Sequence, residues 1–178
     1  MNTIIALLRG INVGGRNKLP MRNLKTILAE IGLVNVQTYI QSGNVVCQIN
    51  RTDLPALAEE IGVAIGENHG FVPRILLLTV ADLETAVAYN PFPTTDEQYK
   101  TLHFYFLESA PTSPDLAKLE SIKSESEQFK LLDKTFYLYA PEGIGRSKLA
   151  TKVERALGVA ATARNWRTVS KLLEIATA

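Results

Sequence analysis

The chain has 178 residues, 46% hydrophobic and 21% charged, which excludes an intrinsically disordered protein and allows a real apolar core. Nineteen Lys and Arg against 18 Asp and Glu leave a net charge of +1, which argues against strong bulk attraction to nucleic acid or anionic lipid and leaves any such role to local clusters. Cys47 is the single cysteine, so an internal disulfide and a thiolate zinc cage are excluded; with no export signal and no run near the ~18 apolar residues of a membrane span, a cytoplasmic protein without membrane contact is expected.

Residues 4–8 are a continuous apolar run bounded by Gly10, the pattern of a strand buried on both faces. After a Gly-rich loop, Pro20 can open a helix whose apolar positions Met21, Leu24, Ile27, Leu28 and Ile31 recur at helical spacing until Gly32. Residues 34–41 and 44–49 are rich in β-branched side chains and flank Ser42-Gly43, which predicts a hairpin closed by a two-residue turn. Leu54, Leu57, Ile61 and Ile65 mark a second helix, and residues 74–80 another buried strand. The order βαββαβ is that of a ferredoxin-like unit, two helices on one face of a four-stranded antiparallel sheet.

Leu83, Ala86 and Val87 suggest a connecting helix, and residues 90–98, with Asn90-Pro91-Phe92-Pro93 at their head, are the best linker in the chain. The order then repeats: a strand at 102–107, a helix carrying Leu116, Leu119 and Ile122, a hairpin at 129–132 and 136–139 turning on Asp133-Lys134, a helical face of Leu149, Val153, Ala156 and Leu157, a weak strand at 161–164, and a terminal helix with Trp166, Val169, Leu172 and Leu173. The fold class is therefore α+β: two tandem ferredoxin-like (α-β plait) units, antiparallel sheets covered by helices, divided as 1–80 and 81–178. Such scaffolds host unrelated functions, so function must be sought in the loops.

Two basic clusters stand out. Arg9, Arg16, Lys18, Arg22 and Lys25 precede the first acid, Glu30, and residues 143–171 hold seven bases against Glu154 alone. In the first cluster, residues 10–17 have P-loop glycine spacing, but Arg16 and Asn17 stand where Lys and Ser or Thr are required, so a nucleotide hydrolase is rejected. The loop follows a strand and precedes a helix, where backbone N–H groups can cradle an anion beside Arg9, Asn12, Arg16 and Lys18; the alternative is a surface loop whose glycines serve only the turn. Gln41, Ser42 and Asn44 offer polar groups at the hairpin tip, although Ser-Gly-Asn is also what a tight turn requires.

In the second cluster, Gly143 and Gly145 lead into Arg146, Ser147 and Lys148 at an expected helix start, the sharper anion site, with Lys148, Lys152 and Arg155 as a basic stripe or a solvated face. Arg164, Asn165 and Arg167 surround Trp166, with Asn165 an N-cap and Trp166 more a packing residue than a stacking platform. His69 and His103 stand far apart with no ligand spacing, so neither metal nor cofactor is implied, and His103 within an apolar strand reads as packed rather than as a base. No nucleophile motif is visible, and the strand after Gly43 lacks the aromatics of an RNA-recognition motif.

The segments at residues 8–15 with 18–21, 39–45, and 147–149 with 162–166 together resemble the bacterial domain of unknown function 1697 family (DUF1697). The resemblance implies paired ferredoxin-like units and brings no activity, substrate or catalytic residue with it. The expected function is a binding protein or enzyme for a phosphate-bearing or otherwise anionic ligand, a small molecule, nucleotide or nucleic acid, held by the basic loops. The alternative is a protein-interaction module without catalytic activity.

Overall fold

The computed structural model describes residues 1–95 and 100–178. Among them the elements run β1 (Asn2–Arg9), α1 (Met21–Glu30), β2 (Val34–Tyr39), β3 (Asn44–Ile49), α2 (Leu54–His69), β4 (Arg74–Thr79), α3 (Val80–Ala88), β5 (Leu102–Leu107), α4 (Leu116–Ile122), β6 (Gln128–Leu132), β7 (Thr135–Tyr139), α5 (Val153–Leu157), β8 (Ala161–Asn165) and α6 (Trp166–Thr177). The strands form two four-stranded antiparallel sheets, in the orders β2-β3-β1-β4 and β6-β7-β5-β8. Each sheet is packed with helices, as two tandem ferredoxin-like units require. Residues 1–85 and 171–178 make up one compact unit and residues 86–170 the other. No helix among the described residues is long and apolar enough to cross a membrane.

In the first unit, period-2 alternation sends Ile4, Ala6 and Leu8 of β1 and Val45, Cys47 and Ile49 of β3 to one face, where they pack with Leu24, Ile27 and Leu28 of α1 and Leu57, Ile61 and Ile65 of α2. Ile5 and Leu7 are fully buried as well, so β1 is covered on both faces, as its unbroken apolar run requires. β1 pairs with β4 in the register Ile5 to Leu78 and Leu7 to Leu76. α2 has the terminal chemistry that fixes a helix: the Asp53 carboxylate accepts from the Ala56 N–H at 3.1 Å, and Gly70 closes the helix at φ 76.

The expected two-residue turn of the first hairpin is corrected. β2 ends at Tyr39, which pairs with Asn44, so the connection is the four residues Ile40-Gln41-Ser42-Gly43. Ile40 and Gly43 both take positive φ, 50° and 79°, and turn the chain before the apparent strand pattern runs out. The second hairpin turns on Asp133-Lys134 as the sequence predicts, with Leu132 opposite Thr135.

In the second unit, Tyr105, Leu107, Phe136, Leu138 and Ala161 pack with Leu119 of α4 and with Val153, Ala156 and Leu157 of α5. Phe136 meets Tyr105 edge-on at 5.7 Å and stacks on Phe129 at 5.4 Å. Phe104, on the other face of β5, stacks on Trp166 at 5.8 Å, the packing role read for that residue from the sequence. The Tyr137 hydroxyl, buried, donates to the Ala86 carbonyl at 2.6 Å. Of the expected linker, Asn90 closes a short turn onto Phe92, which stacks on Tyr139; its residues 96–98 lie outside the described residues.

Candidate functional site

Register decides which loops share an end of the first sheet. Arg9, last in β1, lies opposite Arg74, first in β4, while Asn44, first in β3, lies opposite both Leu7 and Tyr39. The connections 10–20, 40–43 and 70–73 therefore leave from the same end. Together with their flanking strand residues they carry Arg9, Arg16, Lys18 and Arg74 and no acid.

The loop after β1 folds back on itself as a small finger. The Arg16 N–H donates to the Val13 carbonyl at 3.0 Å across Gly14 and Gly15, whose φ values of 58° and 74° give the two left-handed residues of a tight hairpin turn. One step down, the Asn12 N–H donates to the Asn17 carbonyl at 3.0 Å, and the Asn17 side chain donates to the Gly10 carbonyl at 2.9 Å. The glycines thus build a projecting hairpin, and two of the loop's backbone amides, those of Asn12 and Arg16, are bonded within it and do not face an anion.

Asn12 is the staple at the base of the finger. Its Nδ2 donates to the Leu19 carbonyl at 2.9 Å and to the Gln41 carbonyl at 2.7 Å, while its Oδ1 accepts from the Leu19 N–H at 2.8 Å. It adopts φ 53°, which asparagine tolerates better than most residues. Asn44, fully buried, holds the neighbouring turn by donating to the Tyr39 carbonyl at 3.1 Å and to Ser42 Oγ at 2.9 Å. Gly43 lies against the same base: its carbonyl accepts from the Leu8 N–H at 2.8 Å, and a Cβ there would meet Leu8 Cβ at 2.6 Å. Of the residues predicted for this cluster, Asn12, Ser42 and Asn44 therefore fix the scaffold, Gln41 contributes its carbonyl to it, and Arg9, Arg16 and Lys18 are exposed.

α1 begins just beyond the finger. Its N-cap is Pro20, with no side-chain cap and no acid in the first turn, while Arg22 follows at its second position and is exposed. That arrangement leaves the positive end of the helix dipole near Lys18 without a neutralising carboxylate from its own first turn.

The second cluster is built differently from the helix start expected at residues 143–148. Ile144–Arg146 and Ala150–Lys152 are short 3-10 turns, and α5 begins only at Val153 and runs five residues. The Arg146 and Ser147 N–H groups donate to the Gly143 and Ile144 carbonyls, and the Ala150 N–H donates to Ser147 Oγ at 3.0 Å. No α-helix begins there to supply the dipole invoked for an oxyanion, the Gly143, Arg146 and Ser147 amides are bonded within the turn, and Lys148 lies outside the helix that was to carry the basic stripe. Ser147 is buried, whereas Arg146 and Lys148 are exposed.

Register does bring these residues to one end of the second sheet: His103 lies opposite both Leu138 and Asn165, so the chain after β7 and the start of α6 leave together. Asn165 caps α6, its Oδ1 accepting from the Thr168 N–H at 3.0 Å, and Arg167 is exposed. Arg164 is largely buried: it lies opposite Phe104 in the sheet, its Nη1 donates to the Ala163 carbonyl at 2.9 Å, and burial lowers its pKa to about 10. His103 is held neutral by burial, its pKa lowered to about 4, and its Nδ1 is buried without a partner. Cys47 is buried, its thiol pushed up to about 12 by desolvation. No group of three His, Cys, Asp or Glu among the described residues is placed to hold a metal ion.

Two residues of the first end escaped the sequence reading. Arg74 stands alone in the sequence and joins Arg9 only through the β1–β4 register. Ile40 reads as one more β-branched strand residue, whereas it sits in the left-handed region with its side chain half exposed.

The family model described as "Protein of unknown function (DUF1697)" matches residues 1–137, and the chain belongs to that family. Among solved structures it is similar to that of the conserved bacterial protein SP0830 from Streptococcus pneumoniae, with 25% sequence identity, 98% of each chain covered and a TM-score of 0.76. None of the curated proteins matches it.

Proposed function

We propose that this member of the DUF1697 family is a binding module that takes an anionic ligand at the finger end of its first unit, through phosphate or carboxylate groups. The observation that carries this reading is the finger itself: exposed Arg16 at the tip turn and exposed Lys18 two residues on, above a base stapled by the three hydrogen bonds of Asn12, at an end of the sheet whose loops contain no acid. A fixed base means that little order must be gained on binding, so more of the interaction energy appears as affinity. Arg16 supplies a planar fork for bidentate contact with an oxyanion, and Lys18 a mobile point charge. Arg9, Arg74 and Arg22 add to the field that attracts the ligand.

Binding is favoured over catalysis because these connections show no activated nucleophile: His69, which ends α2 just before the 70–73 connection, sets its ring against Phe71, and Ser42 Oγ accepts from Asn44 Nδ2. The bases carried by the connections themselves are Arg and Lys, Cys47 is buried, and His103 belongs to the other unit. The test is a thermal-unfolding titration at low salt with pyrophosphate, a single-stranded oligonucleotide and polyglutamate. At least one should raise the melting temperature, the stabilisation reaching about 2.7 kcal/mol at roughly 100 times the dissociation constant. Arg16→Ala/Lys18→Ala should remove that shift, and added salt should weaken it. An unshifted wild type with all three anions, or a double variant protected as well as wild type, would refute the reading.

A further inference from the structure

We infer that the anionic ligand is an acidic protein surface carrying apolar side chains; this rests on the anion-binding reading above and names its partner. Two of the connections that gather the bases also present Val13, 66% exposed at the finger tip, and Ile40, 52% exposed in the β2–β3 turn, whereas Val72 of the third lies back over Gly62 and Gly66 of α2. Aliphatic side chains interspersed with arginine and lysine, without acids, complement a surface that is both apolar and negative.

Ile40 carries the strongest part of this inference. A β-branched residue at φ 50° is an outlier, because its Cβ crowds the backbone in the left-handed region, and glycine or asparagine would sit there without that strain. The turn nevertheless holds isoleucine, with about half of its surface facing water. Strain at an exposed position, with no core packing to account for it fully, is the mark of a residue kept for contact.

Nucleic acid and lipid fit less well. No aromatic side chain is fully exposed on these connections: Tyr39 and Phe71 are both part-buried, so bases would have no stacking platform. A duplex contacted only through its phosphates would leave Val13 and Ile40 in water. Loops that dock on bilayers present Trp, Phe or Leu beside their bases, and none of these is exposed here. Residues 13–18 of the finger are all exposed, whereas small-molecule sites are concave and bury most of their ligand.

The experiment uses the full chain and fluorescence anisotropy with a short labelled peptide of alternating glutamate and leucine. The comparison probes are polyglutamate of equal charge, single-stranded and duplex oligonucleotides, and phosphatidylserine vesicles. The glutamate–leucine peptide should bind at least about tenfold more tightly than polyglutamate, and Ile40→Asn should reduce its affinity to the polyglutamate level while leaving the melting temperature no lower. Val13→Ser, at an exposed tip, should act in the same direction and serves if Ile40→Asn misfolds. Arg16→Ala/Lys18→Ala should abolish binding of both peptides. Equal affinity for the two peptides, or full affinity in both the Ile40 and Val13 variants, overturns the inference. Tighter binding to oligonucleotide or vesicles than to the glutamate–leucine peptide overturns it too but preserves the anion-binding reading, whereas absence of binding to every probe removes both.

Discussion

Gly43→Ala offers the sharpest check on how the finger is supported. Gly43 has φ +79°, and an added Cβ would lie 2.6 Å from Leu8 Cβ and 2.9 Å from Ile11 Cδ1. Alanine in the left-handed region costs about 1 kcal/mol, and forcing a methyl against a Cβ that cannot swing away costs a further ~1–3 kcal/mol. Reduced freedom of the unfolded chain returns about 0.4–1 kcal/mol, leaving a net loss of roughly 2–3 kcal/mol. For a chain of this size that is a fall in melting temperature of about 4–12 °C. Gly14→Ala is the control: its φ is +58° but nothing lies within 4 Å of the added methyl, so only the strain term applies and the fall should be no more than about 1 kcal/mol. Calorimetry and denaturant titration of both variants measure the difference. Equal losses would show that Gly43 serves only its backbone angle and that the turn does not press on the base of the finger.

Asn12→Asp should destabilise more than Asn12→Ala, because it sets a carboxylate oxygen against the Leu19 and Gln41 carbonyls in place of the donor they share; hydrogen exchange at the backbone amides of residues 12 and 16 should rise in both, and unchanged exchange would contradict the staple. His103 supplies a pH signature. Its folded pKa of about 4 lies below the ordinary 6.5, so between those values the unfolded chain binds a proton that the native protein does not, and stability falls as pH drops through that window by up to roughly 3 kcal/mol. His103→Leu should flatten the profile, and an unchanged slope would refute the assignment. Cys47 should resist thiol reagents in the native protein and label only on unfolding; rapid native labelling would contradict its burial.

The elements visible in the sequence are those whose side chains record a single environment. The run in β1, the helical spacing in α1 and α2, and the Asp133-Lys134 turn each follow from local pattern. Ile40 was illegible because β-branching signals a strand and nothing nearby signals a turn before Ser42. The helix expected to start at residues 143–148 begins only at Val153 for a related reason: Leu149, Val153 and Ala156 keep helical spacing although residues 150–152 form a 3-10 turn, and both geometries send such residues to the core. Arg164 read as a ligand-binding base beside Trp166, but the sheet register sets it opposite Phe104. The basic residues of the site were legible as a composition. Their support was not, since Asn12 acts on carbonyls 7 and 29 residues away, and only the closed sheet brings Gln41 within reach.

The most direct test of the central claim is an amide chemical-shift map of isotopically labelled protein titrated with polyglutamate and, separately, pyrophosphate at low salt. Anion binding at the finger end predicts saturable shifts at residues 9–18, at the 40–43 turn and around Arg74, all lost in Arg16→Ala/Lys18→Ala. Shifts confined to residues 143–152 and 164–167, or no saturable shift with either anion, would contradict it.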